Sequence, residues 1–418
     1  MSIATQTEWD IRTTGAGTNG SGFKDLNPGT SVDYSQQDAA QLALTDIASD
    51  VGGTGVSSAT GGFTAAMEGN CMYITGTGFT TGWYQITGYT DTNNITIDRS
   101  CGASASGGVG NVGGAFLPSN SDWTLFFSTT NKSGYNITWM EAGTYTGIQG
   151  ASILTIAATY HRLRGYNTAH ADEPTIDDRP LLEIGNNACY IGQTGGYSWI
   201  ENLRINSIYS SSTTAMVYYT GTAGVLRNCK VTRSGYAGAY AVRLAQDHCR
   251  VLSCELSAAN GKALQFQNAE NCIVDFNFIH DSADGVTFSG ASSYSAKISN
   301  CVVANCTTNG IYVYFGGTIS GNTVYNCGTG IKFNSLYSAA YSNIIKDCTT
   351  GISGSELTYD DSNCFHGNAT ERTGGIVAGV NNITSDPLLV DPGNDDYRLG
   401  ASSPCFNIGV KLGANVGL

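Results

Sequence analysis

Three stretches, NCVVANCTTNGIYV (300–313), NTVYNCGTGIKF (322–333) and NIIKDCTTGIS (343–353), lie over one another almost residue by residue. The aligned triplets Ile311-Tyr312-Val313, Ile331-Lys332-Phe333 and Ile352-Ser353-Gly354 continue upstream as Val242-Arg243-Leu244, Leu264-Gln265-Phe266 and Val286-Thr287-Phe288. Their steps are 22, 22, 25, 20 and 21 residues, a period too short for a helical repeat and too regular for chance. Each triplet alternates apolar, variable, apolar, which is the period-two signature of a short strand with one face buried. Four triplets follow a glycine directly, at Gly285, Gly310, Gly330 and Gly351, where we expect a turn that needs positive φ.

A second column is anchored at Ile205, Val231, Leu256, Ile279, Val303, Val324 and Ile345, and a third runs through Val251, Val274, Ile298 and Ile319. Three short strands per period of about 22 residues describe a chain winding as a parallel β-solenoid, in which equivalent residues of successive coils stack about 4.8 Å apart. Two places before the second-column anchors stand Leu203, Cys229, Cys254, Asn277, Cys301, Asn322 and Asn343, and three places after the last three stand Cys306, Cys327 and Cys348. Stacked cysteines at these positions read as small apolar residues, buried and reduced, and stacked asparagines as an amide ladder. Zinc spacing is missing, since Cys249-x4-Cys254 and Cys301-x4-Cys306 have no histidine in step with them.

The composition agrees with a β-rich body. Of 418 residues, 54 are glycine and only 13% are charged, against roughly 25% in ordinary domains, while 41% are hydrophobic. A net charge of −13 repels phosphate backbones and anionic headgroups, so neither nucleic acid nor membrane insertion is expected. No apolar run of 18 residues exists, and the start MSIATQTEWD lacks a secretory pattern, from which we expect a soluble chain made in a cytoplasm.

The three strand columns, glycine turns and N-C-x-[IV] strands resemble the right-handed parallel β-helix, or pectate-lyase-like, superfamily over residues ~135 to 418. Ile137 to Tyr145 looks like the strand and turn opening its first coils, and Arg162 to Tyr166 like the next. Asp386 to Asp391, Asp396 to Leu399 and Ser403-Pro404 are similar to the closing segment of many such proteins, expected to cap the open last coil. Nearer the start, TGTGFTTGWYQITGY, ITIDRSCG and GGVGNVGGAF resemble a module found ahead of β-helices in predicted virion proteins of tailed bacteriophages. Strands are expected there at Met72 to Thr75, Trp83 to Thr87 and Ile95 to Asp98. Asp38 to Ala48 carries apolar residues at helical spacing and reads as one capping helix. The expected organisation is all-β: an N-terminal segment and capping helix (1–50), a small β-rich attachment domain (51–117), a right-handed parallel β-helix with three strands per coil (118–380) and a C-terminal cap (381–418).

Chemistry is sparse. The outward positions of the first column are Arg243, Gln265, Thr287, Tyr312, Lys332 and Ser353, a face without carboxylates. We take Arg243, Gln265, Thr287, Tyr312 and Lys332 as the candidate binding residues, with outward Tyr218, Tyr240 and Tyr314 able to stack on sugar rings. Glycoside hydrolysis needs two carboxylates roughly 5 to 9.5 Å apart, and the candidates are Asp275, Asp281 and Asp284, with Glu255 nearby. The simpler reading of Asp281 and Asp284 is as turn residues bonding local backbone. Lys332 in Gly330-Ile331-Lys332 resembles the Arg-Ile-Lys element of polygalacturonases, but that family's Asp-Asp and Gly-His-Gly elements have no counterpart. The five histidines are dispersed, and no phosphate-binding loop occurs, so no cofactor and no metal are expected. The resemblance implies a structural virion protein of a tailed phage, a spike or capsid decoration attached to other virion proteins through residues ~1 to 117. Contact with host surface glycans and a homotrimeric state are further expectations. The rivals are a tailspike depolymerase using Asp275, Asp281 or Asp284, and a non-enzymatic glycan-binding adhesin.

Overall fold

The computed structural model describes residues 6–117, 136–148, 153–156, 159–185, 190–207, 215–234, 237–290, 295–334 and 338–406. Residues 118–135 of the expected β-helix and 407–418 of the expected C-terminal cap lie outside them. The chain divides into two compact units, Met1–Gly147 with Leu154–Leu181, and Ile148–Ile153 with Leu182–Leu418.

In the first unit, alternation drives six strands into a closed antiparallel barrel in the order Leu42–Ser49, Gly55–Ser58, Asn94–Ile97, Gly82–Asp91, Cys71–Thr75 and Gly108–Val112. Its core gathers Leu44, Ile47, Val56, Met72, Ile74, Tyr84, Ile86, Ile95, Ile97 and Val112. All three strands expected in this region are present, but the expected capping helix is not: Leu42–Ser49 is a barrel strand. The helical spacing of Leu44 and Ile47 has another cause. Three residues apart, they would point to opposite faces of a regular strand, and a bulge between them against Gly108–Val112 brings both side chains into the core. Among the described residues there is no α-helix, only two single 3₁₀ turns.

The same unit stacks three parallel rungs. Glu8–Ile11 pairs in parallel with Asn136–Glu141, which pairs in parallel with His161–Tyr166. Coil stacking thus includes a strand at residue 8, well upstream of where the repeat becomes readable.

The second unit is the solenoid, and its register matches the sequence columns. On the first face Val242, Leu264, Val286, Ile311, Ile331 and Ile352 are consecutive cross-rung partners. On the second, Val251, Val274, Ile298 and Ile319 are partners. On the third, Ile205, Val231, Leu256, Ile279, Val303, Val324 and Ile345 follow one another. All of these except Ile205 (1% exposed) are fully buried, and the stacking reaches ring on ring at Phe266 and Phe288, whose centroids lie 4.2 Å apart and within 5° of parallel. The described cysteines are buried, in keeping with small apolar ladders. Asparagines form the expected ladder: Asn322, Asn343, Asn363 and Asn382 are joined by amide-to-backbone and amide-to-amide bonds from rung to rung.

Two expectations are corrected. The glycines ahead of the first-face triplets are not turn residues with positive φ. Gly285, Gly310, Gly330 and Gly351 lie inside strands, and what they do in the stack is leave room. A Cβ at Gly330 would stand 2.7 Å from the Gly351 carbonyl oxygen and 2.9 Å from Ile345 Cγ2. Positive φ falls instead on the corners, at Asn228, Ser253, Phe276, Asn300, Ser342 and Ser362, and again at Asp281, Asn305, Asn326 and Asp347. Polar side chains that bond local backbone tolerate that conformation, which is why Asn, Asp and Ser fill most of these positions.

The closing segment also behaves differently from a terminal cap. Asn382 and Ile383 continue the last rung beside Asn363 and Cys364. The chain then turns back as an antiparallel hairpin, Leu389–Asp391 with Asp396–Leu399, and lies along the outer side of the third face. Tyr397 packs there on Phe278, Val302 and Ala304 with Tyr325 and Leu389, and Cys405 joins Ile344 and Cys364 with Ile383 and Leu399. We call this segment the strap.

Candidate functional site

Alternation on the first face sends the middle residue of each triplet outward, and parallel register lines these residues up. Gly192, Tyr218, Arg243, Gln265, Thr287, Tyr312, Lys332, Ser353 and Thr373 form one unbroken file of cross-rung partners. All five candidate binding residues therefore stand in one row.

The row has a cationic and aromatic patch at each end of its middle section. Arg243 lies over Tyr218, 5.1 Å from the ring centroid, and near Tyr240 at 5.6 Å. Lys332 Nζ lies 5.4 Å from the Tyr312 centroid, and Tyr312 meets Tyr314 edge to face at 6.4 Å. Contacts of this kind contribute about 0.5–1 kcal/mol each where solvent reaches them, enough to orient the cations without neutralising them. Burial pushes the Tyr312 hydroxyl pKa upward, and Tyr314 and Asp284 add to the effect.

Between the patches the floor is polar and covered. Gln265 is 6% exposed and Thr287 fully buried, so these two point outward without being open surface. Gln265 Nε2 donates to Ser289 Oγ at 2.9 Å, and Arg243 donates to the Gln267 side-chain oxygen. Gln265 Oε1, Thr287 Oγ1 and Arg243 Nε have no hydrogen-bond partner among the described residues. Buried polar atoms thus separate the two cation–aromatic patches, which are the parts of the row that solvent reaches.

Each of the candidate carboxylates is engaged by neighbouring side chains. Asp275 Oδ1, at the end of a second-face strand, accepts from Ser299 Oγ at 2.8 Å and Asn300 Nδ2 at 2.9 Å. Asp281 occupies a corner at φ 49° and faces His280 Nδ1 at 2.9 Å. Asp284 begins a first-face strand, accepts from Asn309 Nδ2 at 2.7 Å and lies 3.7 Å from Lys262 Nζ. On the third face Glu255 bonds Lys230 at 2.7 Å and faces His280 Nε2 at 3.4 Å. Burial works against a charged His280, but Glu255 and Asp281 outweigh it and raise its pKa. These are rung-to-rung clasps. No group of three or more histidine, cysteine or acidic side chains able to hold a metal occurs among the described residues.

Sequence reading missed one polar cluster, in the first unit. Asp10 is fully buried and accepts from Arg12 Nε at 2.9 Å and from the Tyr166 hydroxyl at 3.0 Å, with His170 Nε2 2.5 Å away. His170 stacks on Trp139, centroids 4.4 Å apart and 6° from parallel. Burial raises the Tyr166 pKa and Asp10 raises it further. Every lone-pair direction of this carboxylate is used in tying the first rungs together. Asp10, Trp139 and the Tyr166–His170 pair are too far apart in sequence for any spacing rule to connect them.

A family model described as right handed beta helix region matches residues 189–349 and 246–386. Residues 189–386 belong to the right-handed parallel β-helix superfamily. Solved structures similar to this β-helix include the Dettilon tailspike protein, at 14% identity over 59% of this chain and 60% of that one, with a TM-score of 0.39. A PL6 alginate lyase complex with trisaccharide is 14% identical over 62% and 56%, with a TM-score of 0.41. The PL6 family polysaccharide lyase of Pseudopedobacter saltans is 11% identical over 71% and 99%, also with 0.41. The β-helix chain spans about 60% of the length of the first two. At these identities what is shared is the fold. No curated protein sequence matches the chain.

Proposed function

We propose that the chain is a structural β-helix protein of a tailed-phage virion, anchored through its N-terminal barrel, whose first-face row binds acidic glycans of the host surface. The observation that carries the glycan part is the row itself. In a chain of net charge −13 it aligns Arg243 and Lys332 with Tyr218 and Tyr312, and contains no carboxylate. A cationic strip on an acidic molecule selects anionic ligands locally while the remainder of the surface discourages nonspecific ones. Support for the virion part is the glycine-rich string within 75–116, which resembles virion modules and here supplies three of the six barrel strands. A homotrimer is part of the same reading.

The test uses the full-length chain on immobilised host capsular polysaccharide. Wild type binds, and Tyr312→Ala with Lys332→Ala loses at least about tenfold in affinity, the loss of two interactions near 1 kcal/mol each, at unchanged melting temperature. Equal binding by the double variant overturns the glycan assignment, and absence of the chain in stoichiometric copies from purified particles overturns the virion assignment. Shortening of the polysaccharide would establish the depolymerase instead.

A further inference from the structure

The strap brings the chain's last described cysteine onto a cysteine of the solenoid. Cys364 belongs to the outward file of the third face, following Val302, Thr323 and Ile344 in register, while its neighbour Phe365 points into the coil. Cys405 arrives from the strap, and the two are buried side by side with Ile344 under Ile383 and Leu399. Their setting differs from that of the ladder cysteines. Ladder pairs such as Cys306 and Cys327 sit on adjacent parallel rungs with their Cβ atoms pointing the same way, an arrangement that does not meet the crossed geometry a disulfide requires. Cys364 and Cys405 come from two separate segments packed into one buried cluster.

We propose that Cys364 and Cys405 are a redox latch, two thiols that oxidise to a disulfide and lock the strap onto the third face. The inference is independent of what the first face binds. The segment it locks is partly open: Leu388, Val390 and Phe406 are 41%, 52% and 46% exposed, so local lifting exposes the thiols to small reagents. The neighbouring Cys364 thiol holds the Cys405 pKa below the ordinary thiol value, and Ser403 Oγ fixes the Cys405 backbone by accepting its N–H at 3.1 Å. The co-reactant is a low-molecular-weight disulfide. The Cys405 thiolate attacks it, forming a mixed disulfide and releasing one thiol. As the strap closes, the Cys364 thiolate attacks Cys405 Sγ and releases the second thiol, so the protein loses two electrons and two protons and the reagent gains them.

The full-length protein is incubated with oxidised glutathione or with dithiothreitol, denatured in alkylating reagent and mapped by mass spectrometry without reduction. The expected result is a Cys364–Cys405 linked peptide in the oxidised sample and alkylated thiols at the ladder positions in both. Trypsin cleavage after Arg398, whose side chain is 51% exposed, should slow by about tenfold or more on oxidation, and Cys405→Ser should abolish the slowing. Persistent free thiols at 364 and 405 under oxidant, linkage of either to a ladder cysteine, or equal slowing in Cys405→Ser would overturn the latch. The mapping is read on wild type, so a poorly folding variant does not remove the test.

Discussion

The side-chain oxygen of Asn343 accepts two hydrogen bonds from Asn322, one from its backbone N–H and one from its amide, each 3.0 Å long. Both residues are fully buried, and the Asn343 amide in turn donates to Ile319 and Asn363. Replacing Asn343 by Ala strands donors on one rung and acceptors on the next. The expected loss is about 2–4 kcal/mol, more than one ordinary hydrogen bond because buried partners are left unsatisfied. Urea unfolding followed by circular dichroism measures it, and a change under 0.5 kcal/mol would show that the ladder is ornamental.

Gly330→Ala should be costly where a corner substitution is not. A methyl group at 330 meets backbone oxygen at 2.7 Å, with Cys348 Sγ at 3.3 Å behind it, and only a shift of the rung relieves the contact. Overpacking of this sort destabilises by about 1–3 kcal/mol. Asn326→Gly, at φ 50°, removes left-handed strain and should stay near neutral, apart from its 2.9 Å bond to Asn305. Equal melting temperatures for the two variants would refute the distinction.

Acid should weaken the first unit through His161. Complete burial holds its pKa at about 4, well below the ordinary 6.5, with Thr138 Oγ1 at 3.1 Å as hydrogen-bond partner. The unfolded chain binds a proton between pH 6.5 and 4 and the folded one does not, so stability from this group is present above 6.5 and drains away as pH falls toward 4. The full effect is about 3 kcal/mol. His280 has the opposite sign: its raised pKa adds stability at low pH that is lost as pH rises through the folded value. His161→Gln should flatten the acid limb of a stability–pH curve, and an unchanged limb would locate the acid sensitivity elsewhere.

Glycan binding by the first face should be strongly salt dependent and change sign of response with charge. Lys332→Glu places an anion against the Tyr312 ring and should abolish retention on an acidic polysaccharide at low salt. Wild-type retention should fall as ionic strength rises from 0.01 to 1 M, since screening shortens from about 30 to 3 Å over that range. Retention that is indifferent to salt would point to stacking alone.

Tyr397→Ala tests whether the strap is held by its aromatic contacts. The ring meets Phe278 at 5.8 Å and Tyr325 at 5.6 Å. Truncation of a buried aromatic costs about 3–5 kcal/mol where the loss is global. Here the expected readout is local: faster hydrogen exchange over residues 386–406, with the ladder amides unchanged. Uniform acceleration throughout the second unit would mean that strap and coils open as one.

Much of the second unit was legible because a solenoid writes its contacts into the period. Once Val286, Ile311 and Ile331 are aligned in sequence their pairing in space follows, and the row from Arg243 to Lys332 comes with it. What could not be read depends on contacts without a period. The bulge that turns Leu44 and Ile47 to one side imitates a helix, and only the partner strand reveals it. The glycines of the first face look like turn residues until the neighbouring rung is in place. Asp10 finds Tyr166 and His170 across more than 150 positions, and the strap finds Phe278 across more than 100.

The strap has a mechanical consequence. A bare stack of coils, pulled at its end, peels one rung at a time at low force, because each rung is held only by its neighbour. Here the terminal hairpin spans the rungs of Phe278, Val302, Ile344 and Cys364 on the outside, so tension applied at the C terminus loads several of them in parallel before the last can detach. The second unit is built like a coiled rope in which a later stretch has been lashed back over the preceding turns.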